Sequence, residues 1–106
     1  PLPTLKNATD AIVRMDRTTI CGTDLHILKG YVPTVSSGRI LGHEGVGTIT
    51  ALGNGVSQFH VGDRVLISCI SSCGKCANCK KGFYGHCQAE DGGWVLGNTC
   101  DGCQAE

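Results

Sequence analysis

Four cysteines lie close together in the second half of the chain with short, regular gaps. Cys73, Cys76, Cys79 and Cys87 form a C-x2-C-x2-C-x7-C pattern. Four thiolates at this spacing can close on one ion, and a tetrahedral four-sulfur site suits zinc because zinc needs neither an open position nor redox chemistry. The pattern therefore predicts a structural zinc loop over 73–87, which pins a segment that lacks a core of its own.

An iron–sulfur cluster and a set of disulfides are the two other uses of such a cysteine cluster. A ferredoxin-type iron–sulfur run places its fourth cysteine about three residues on and follows it with proline. Here seven residues intervene and Gln88 follows. Disulfide frameworks spread their cysteines along a chain, whereas five of the eight cysteines here crowd into nineteen residues. Zinc is favoured over iron, and metal over disulfides.

A second group of possible metal ligands is more widely spaced. Cys21 and the pair His43-Glu44 are separated by twenty-one residues, and each lies beside a predicted turn. Catalytic zinc takes three protein ligands and keeps one position for water or substrate, so Cys21 and His43 amount to part of such a site. A hydroxyl, a carboxylate and an imidazole that could handle a proton follow Cys21 closely. They belong to Thr23, Asp24 and His26.

Short strands and tight turns must position these side chains, because the chain has sixteen glycines and only five aromatic residues. That composition favours a mainly β fold with short helices. The expected elements are strands over 11–15 (with strand character again over 18–20), 46–52 and 64–68, a short helix from Gly22 that stops at Gly30, and a surface loop over 31–38.

Charge and hydropathy exclude several functions. Nine basic and nine acidic residues cancel and form no run of one sign, so nucleic acid is not an expected partner. Apolar stretches such as 65–67 fall far short of the roughly 20 residues of a membrane span, and no leader is visible. We expect a cytoplasmic protein of one domain. Because it starts at Pro1 and stops at Glu106 without any terminating signal, we expect a piece of a longer chain, incomplete at both ends.

Taken together and in order, these motifs resemble those of the zinc-containing medium-chain alcohol dehydrogenases. The runs 21–26, 42–47 and 62–65 and the loop 73–87 occur in that family's order. The resemblance covers nearly the whole chain. It implies that residues 1–106 form a GroES-like catalytic domain, a partly open β-barrel with a four-cysteine zinc loop.

The resemblance also assigns roles around the second group of ligands. It implies that Cys21 and His43 bind a catalytic zinc and that Glu44 stands behind the metal, able to approach it transiently. Asp24 would orient the His43 ring. The family's third ligand, usually Cys or Asp, would lie beyond this chain, so the metal should be held weakly by these residues alone.

Proton transfer and substrate binding are assigned in the same way. By resemblance, Thr23 would hydrogen-bond the substrate's alcohol oxygen, and His26 would end a proton relay that runs through the coenzyme ribose. Cys69 and Trp94 resemble the lining of the substrate cleft. A small buried hydrophobe for Cys69 and a core or interface aromatic for Trp94 are the competing interpretations.

The implied parent enzyme oxidises alcohols to aldehydes or ketones with NAD or NADP, and its relatives are homodimers or homotetramers. Its Rossmann coenzyme domain would lie downstream of Glu106, so this chain alone should be inactive. The run 53–55 does not replace that domain, because the G-x-G-x-x-G pattern fails at Gln58. The implied substrate is a small-molecule alcohol or carbonyl compound.

A last pair of cysteines lies outside both groups of possible ligands. Cys100 and Cys103 form another C-x2-C pair without a role in the family. Neutral substitutions, an adventitious metal pair and oxidation-prone thiols exposed by truncation are the alternatives, and we favour the third. The alternative function is a stand-alone zinc-binding structural or interaction module built on 73–87, and an iron–sulfur electron carrier is a third hypothesis.

Overall fold

The computed structural model describes residues 2–105. The terminal residues Pro1 and Glu106, on which the expectation of a cut chain rests, lie outside the described residues. The elements in chain order are β1 (Ala11–Thr18), α1 (Gly22–Leu28), β2 (Gly45–Leu52), β3 (Arg64–Ile67), α2 (Ala77–Lys80) and a 3-10 turn at Tyr84–His86. The three strands and α1 lie where the sequence predicts them, although the strand character predicted for 18–20 ends at Thr18. The sequence did not predict α2 or the 3-10 turn.

The three strands form one antiparallel sheet in the order β1-β2-β3. β2 is central and begins at Gly45, directly after His43 and Glu44. Its inward positions alternate along the strand, as expected for a half-buried strand, and Ile49 is only 2% exposed. The sheet therefore fixes the point at which the chain leaves the candidate ligand pair.

Close approach of β1 to β2 requires glycine at position 47. A Cβ there would lie 2.5 Å from Val13 Cγ1 and against the carbonyl oxygen of Arg14. We expect Gly47→Ala to lower the free energy of unfolding by about 1–3 kcal/mol, as other overpacked sites do. Urea denaturation measures this, with Gly85→Ala as the control because no atom lies within 4 Å of its added Cβ. Equal losses in the two variants would contradict the packing argument.

The apolar core is small. Within residues 2–105 the buried apolar side chains are those of Ile49, Cys79 and Cys103, and two of these three are cysteines. Asp24 and His43 are the buried polar residues, at 3% and 6% exposure. No helix in the described part of the chain combines the length and the apolar character that crossing a bilayer requires. Because so little apolar surface is buried, interactions around the cysteines and around Asp24 and His43 contribute much of the stability of the fold.

Candidate metal centres

The four sulfurs of the 73–87 loop converge. The Sγ atoms of its four cysteines all lie within 4.8 Å of one another. Cys76 caps the short helix α2, and its sulfur accepts a hydrogen bond from the Cys79 N–H at 3.4 Å. The Cys73 sulfur accepts from the Cys76 N–H at 3.3 Å, and the Cys87 sulfur from the Cys73 N–H at 3.3 Å. The backbone thus points its donors at the sulfurs, an arrangement that suits thiolates.

These donors change the acidity of the thiols. The N–H groups of Gln88 and Cys79 lower the pKa of Cys76 to about 6, while burial raises the pKa of Cys79 to about 12. The N–H groups of Lys75 and Cys76 lower the pKa of Cys73. Four clustered sulfurs fit a tetrahedral structural zinc. A cation among them would also favour the thiolate of the buried Cys79.

The second cluster forms where helix α1 begins. Cys21 is the N-cap residue of α1, and its sulfur accepts from the Thr23 N–H at 3.3 Å. Its own N–H donates to Oδ2 of Asp24 at 2.9 Å, which completes a capping box. This box fixes the Cys21 sulfur 3.3 Å from Nε2 of His43. A carboxylate oxygen of Glu44 lies within 4.8 Å of both atoms.

The His43 ring is oriented by packing. Trp94 stands edge-on to it, with ring centroids 5.8 Å apart and an interplanar angle of 75°. Nδ1 of His43 and Oδ1 of Asp24 are both buried and have no hydrogen-bond partner within residues 2–105. Oδ2 of Asp24 accepts the Cys21 N–H, and the role of Asp24 in orienting the His43 ring stays a prediction. An imidazole that presents Nε2 toward a cysteine sulfur fits a metal ligand.

Glu44 is held by the last residue of β1 and the residue after it. Its carboxylate accepts a hydrogen bond from the Thr19 hydroxyl, and its backbone oxygen accepts from the Thr18 hydroxyl at 3.0 Å. Glu44 and Cys69 line an open cleft of about 560 Å³. The rest of its lining comes from Arg17, Thr19, Gly45, Val46, Leu66, Ile67 and Ser68. Glu44 thus joins the ligand cluster to a cleft with a mainly apolar wall.

The other predicted site residues are distributed around this cluster. Thr23 is half-buried and contacts the Cys21 sulfur through its backbone N–H. His26 is exposed, and its ring lies 5.8 Å from that of Tyr31. Trp94 contacts His43 and does not line the cleft that Cys69 lines. The structure therefore brings Thr23 and Trp94 to the two ligands and leaves His26 at the surface.

The remaining cysteines differ from expectation in one respect. All eight thiols are free. Cys100 is exposed, but Cys103 is 6% exposed, so the expectation that both are accessible is wrong for Cys103. Its position explains this, since the Cys103 N–H donates to the Gly42 carbonyl and the side chain lies beside Gly45 at the start of β2. Burial also raises the pKa of the Cys103 thiol.

One side chain at the site was not singled out from the sequence. Gln104 donates through Nε2 to Oδ2 of Asp24 at 3.2 Å and to the Thr19 carbonyl at 3.0 Å. Eighty residues separate it from Asp24. No local motif marks it, so only the folded chain reveals the contact.

The chain is similar to known proteins over most of its length. Residues 7–106 match the family model described as alcohol dehydrogenase GroES-like domain. The chain is 36% identical to zinc-type alcohol dehydrogenase B of Aspergillus flavus, over 100% of this chain and 24% of that protein. It therefore spans about a quarter of the length of the curated relatives that it matches.

Solved structures of alcohol dehydrogenases are similar to this one over the entire chain. The zinc dependent alcohol dehydrogenase 2 from Streptococcus pneumonia, solved in its apo form, is 58% identical with a TM-score of 0.90, and this chain covers 29% of it. The alcohol dehydrogenase TADH from Thermus sp. ATN1 is 38% identical with a TM-score of 0.86, and this chain covers 31% of it. The predicted fold class, mainly β and GroES-like, is confirmed.

Proposed function

The chain belongs to the alcohol dehydrogenase GroES-like domain family, and from this membership we propose that it is the catalytic domain of a zinc-dependent alcohol dehydrogenase. The enzyme interconverts small alcohols and aldehydes or ketones using NAD or NADP. The observation that carries the proposal is the 3.3 Å approach of the Cys21 sulfur to Nε2 of His43, beside the Glu44 carboxylate. A structural zinc module needs the 73–87 loop but has no use for this second cluster.

In this proposal, the chain is one part of a longer enzyme. Residues 1–106 supply the GroES-like catalytic domain, and the coenzyme domain and a third metal ligand come from elsewhere in that enzyme. Family resemblance further supports a cytoplasmic homodimer or homotetramer. Because the reaction needs the coenzyme, we expect no turnover from residues 1–106 alone.

Two zinc ions are assigned to the two clusters. Cys21 and His43 would hold the catalytic ion, while the four sulfurs of the 73–87 loop would hold the structural one. When bound, the catalytic zinc supplies a Lewis acid that lowers the pKa of the alcohol hydroxyl. Both donor sets are the types that zinc selects in these two kinds of site.

The residues of this chain place the ligands and accept the proton. The α1 capping box fixes the Cys21 sulfur, and Trp94 packs against the ring of His43. Thr23, half-buried beside Cys21, accepts the proton of the substrate hydroxyl at Oγ1 and passes its own proton on. His26 is exposed, so its imidazole can exchange the proton with solvent at the end of a relay through the coenzyme ribose.

The cleft beside Glu44 would bind the substrate. Its wall includes the apolar side chains of Val46, Leu66 and Ile67 as well as Cys69. We assign Cys69 to contact with the carbon chain of the alcohol. Trp94 excludes water from the His43 side of the site through its edge contact with that ring. An apolar wall with one polar end favours an alcohol with a hydrocarbon body over a charged substrate.

The proton-transfer assignment is tested at Thr23. We expect Thr23→Val to lower kcat of the complete enzyme by about 100-fold, because it removes the hydroxyl while keeping the shape, and positioned proton transfer contributes about that much. Thr23→Ser restores the hydroxyl and should recover most of the rate. Formation of reduced nicotinamide from a series of alcohols provides the measurement, before and after zinc removal by a chelator. Equal kcat in the valine variant and the unsubstituted enzyme would exclude this role, and turnover that survives zinc removal would refute the proposed function.

A further inference from the structure

The segment 102–104 lies alongside the stretch that leads into His43. The Gly102 N–H donates to the Ile40 carbonyl at 2.8 Å, and the Gln104 N–H donates to the Leu41 carbonyl at 3.0 Å. These bonds fix the backbone of 40–42, immediately before the proposed metal ligand. The position of Gln104 is thereby set relative to His43.

The Gln104 side chain then reaches across to the other ligand. Its single amide nitrogen donates both hydrogens, one to the Thr19 carbonyl at 3.0 Å and one to Oδ2 of Asp24 at 3.2 Å. Thr19 lies two residues before Cys21, and the same Oδ2 of Asp24 accepts the Cys21 N–H. The amide therefore connects both sides of the turn that holds the Cys21 sulfur.

Packing restricts the amide to this position. Gly42 has φ +99°, and a Cβ there would lie 2.7 Å from Cγ of Gln104. The stem of the side chain thus fills the space that glycine leaves, and a larger residue at 42 would displace it. Asp24 is 3% exposed, so its carboxylate depends on the donors it has. Loss of the Gln104 donor would leave Oδ2 with the Cys21 N–H alone within residues 2–105.

We infer that Gln104 is a positioning residue for the catalytic metal site: its amide bridges the Cys21 turn and the His43 segment and holds the two ligands at binding distance. The inference rests on the function proposed above. Gln104 contacts neither the Cys21 sulfur nor the His43 ring through the bonds described, so it acts through Asp24 and the backbone. Outer partners of this kind typically change metal affinity by about 10–100-fold.

Cobalt(II) titration of the metal-free complete enzyme, in competition with a chromophoric chelator, tests the inference. We expect Gln104→Glu to weaken the Cys21–His43 site by about 10–100-fold and to change its ligand-field absorption, because a second carboxylate would face Asp24. The four-cysteine loop should keep its affinity within about twofold and reports on folding, since its zinc-type site depends on its own four sulfurs. Gln58→Glu makes the same chemical change at an exposed position and should leave both sites unchanged.

Gln104→Met separates loss of the amide from addition of a charge. It keeps the length of the side chain, and we expect it to weaken the same site by about tenfold. Unchanged affinity of that site in both Gln104 variants would overturn the inference. Loss of cobalt from the loop as well, in both variants, would overturn it too, since Gln104 would then support the fold in general. An unsubstituted enzyme that binds only one cobalt would refute the proposed function instead.

Discussion

Replacing His43 by alanine is expected to lower kcat/KM of the complete enzyme for alcohol oxidation by about a thousandfold or more. The Lewis acid contributes several kcal/mol to stabilising the transition state, and each 1.36 kcal/mol corresponds to about a tenfold change in rate. His43 supplies the imidazole nitrogen 3.3 Å from the Cys21 sulfur. Without it, the chain keeps one sulfur and an exposed carboxylate, too few ligands to retain the ion.

Steady-state kinetics with a saturating coenzyme measure this effect. Because His43 is 6% exposed, His43→Asn, which retains a polar side chain and part of the volume, accompanies the alanine variant. His60→Ala is the control. The His60 side chain is exposed, and the one ion pair that it makes within residues 2–105 is with Asp63. Alcohol oxidation at an undiminished rate in a folded His43 variant would remove His43 from the catalytic site.

Replacing Cys79 by serine is expected to empty the 73–87 loop of zinc and to release it from the fold. Cys79 is the most buried of the four sulfur ligands, at 3% exposure, and a serine hydroxyl is a poor substitute for a thiolate. Structural zinc binds finger peptides with about 10–16 kcal/mol of apparent free energy at pH 7, and binding of this kind is coupled to folding. The two short helical segments of the loop pack on each other, so little else holds them.

Limited proteolysis with mass spectrometry measures the loss of order. We expect cleavage within 73–87 to become at least about tenfold faster in Cys79→Ser, which corresponds to local destabilisation by about 1.4 kcal/mol or more. Cys100→Ser is the matched control, because Cys100 is an exposed thiol outside both clusters. If the loop of Cys79→Ser resists protease as the unsubstituted loop does, zinc is not what stabilises it.

Interactions between near neighbours in the chain could be predicted from the sequence. The four-cysteine pattern, with its gaps of two and seven residues, predicted convergent sulfurs, and the structure brings the four sulfurs together. The start of α1 at Gly22 followed from the capping groups around Cys21, and the structure forms that capping box. The strand β2 followed from its β-branched residues, which favour strands.

Contacts across the chain could not be predicted in the same way. The sequence and its resemblance did not predict that Oδ2 of Asp24 accepts hydrogen bonds from both the Cys21 N–H and the Gln104 amide. Residue types at a distance do not specify which acceptor a donor will choose, since that depends on packing. Packing between residues far apart in the chain also produces the edge contact of Trp94 with His43 and the burial of Cys103 beside Gly45.

We propose that this chain contributes to two separate zinc sites, one catalytic and one structural. Zinc and iron per polypeptide, counted by inductively coupled plasma mass spectrometry after exhaustive dialysis of the complete enzyme, test it most directly. We expect zinc near two per chain with no iron, falling to near one in His43→Ala. Zinc near one in the unsubstituted enzyme, unchanged in His43→Ala, would contradict it, because the Cys21–His43 cluster would then hold no metal.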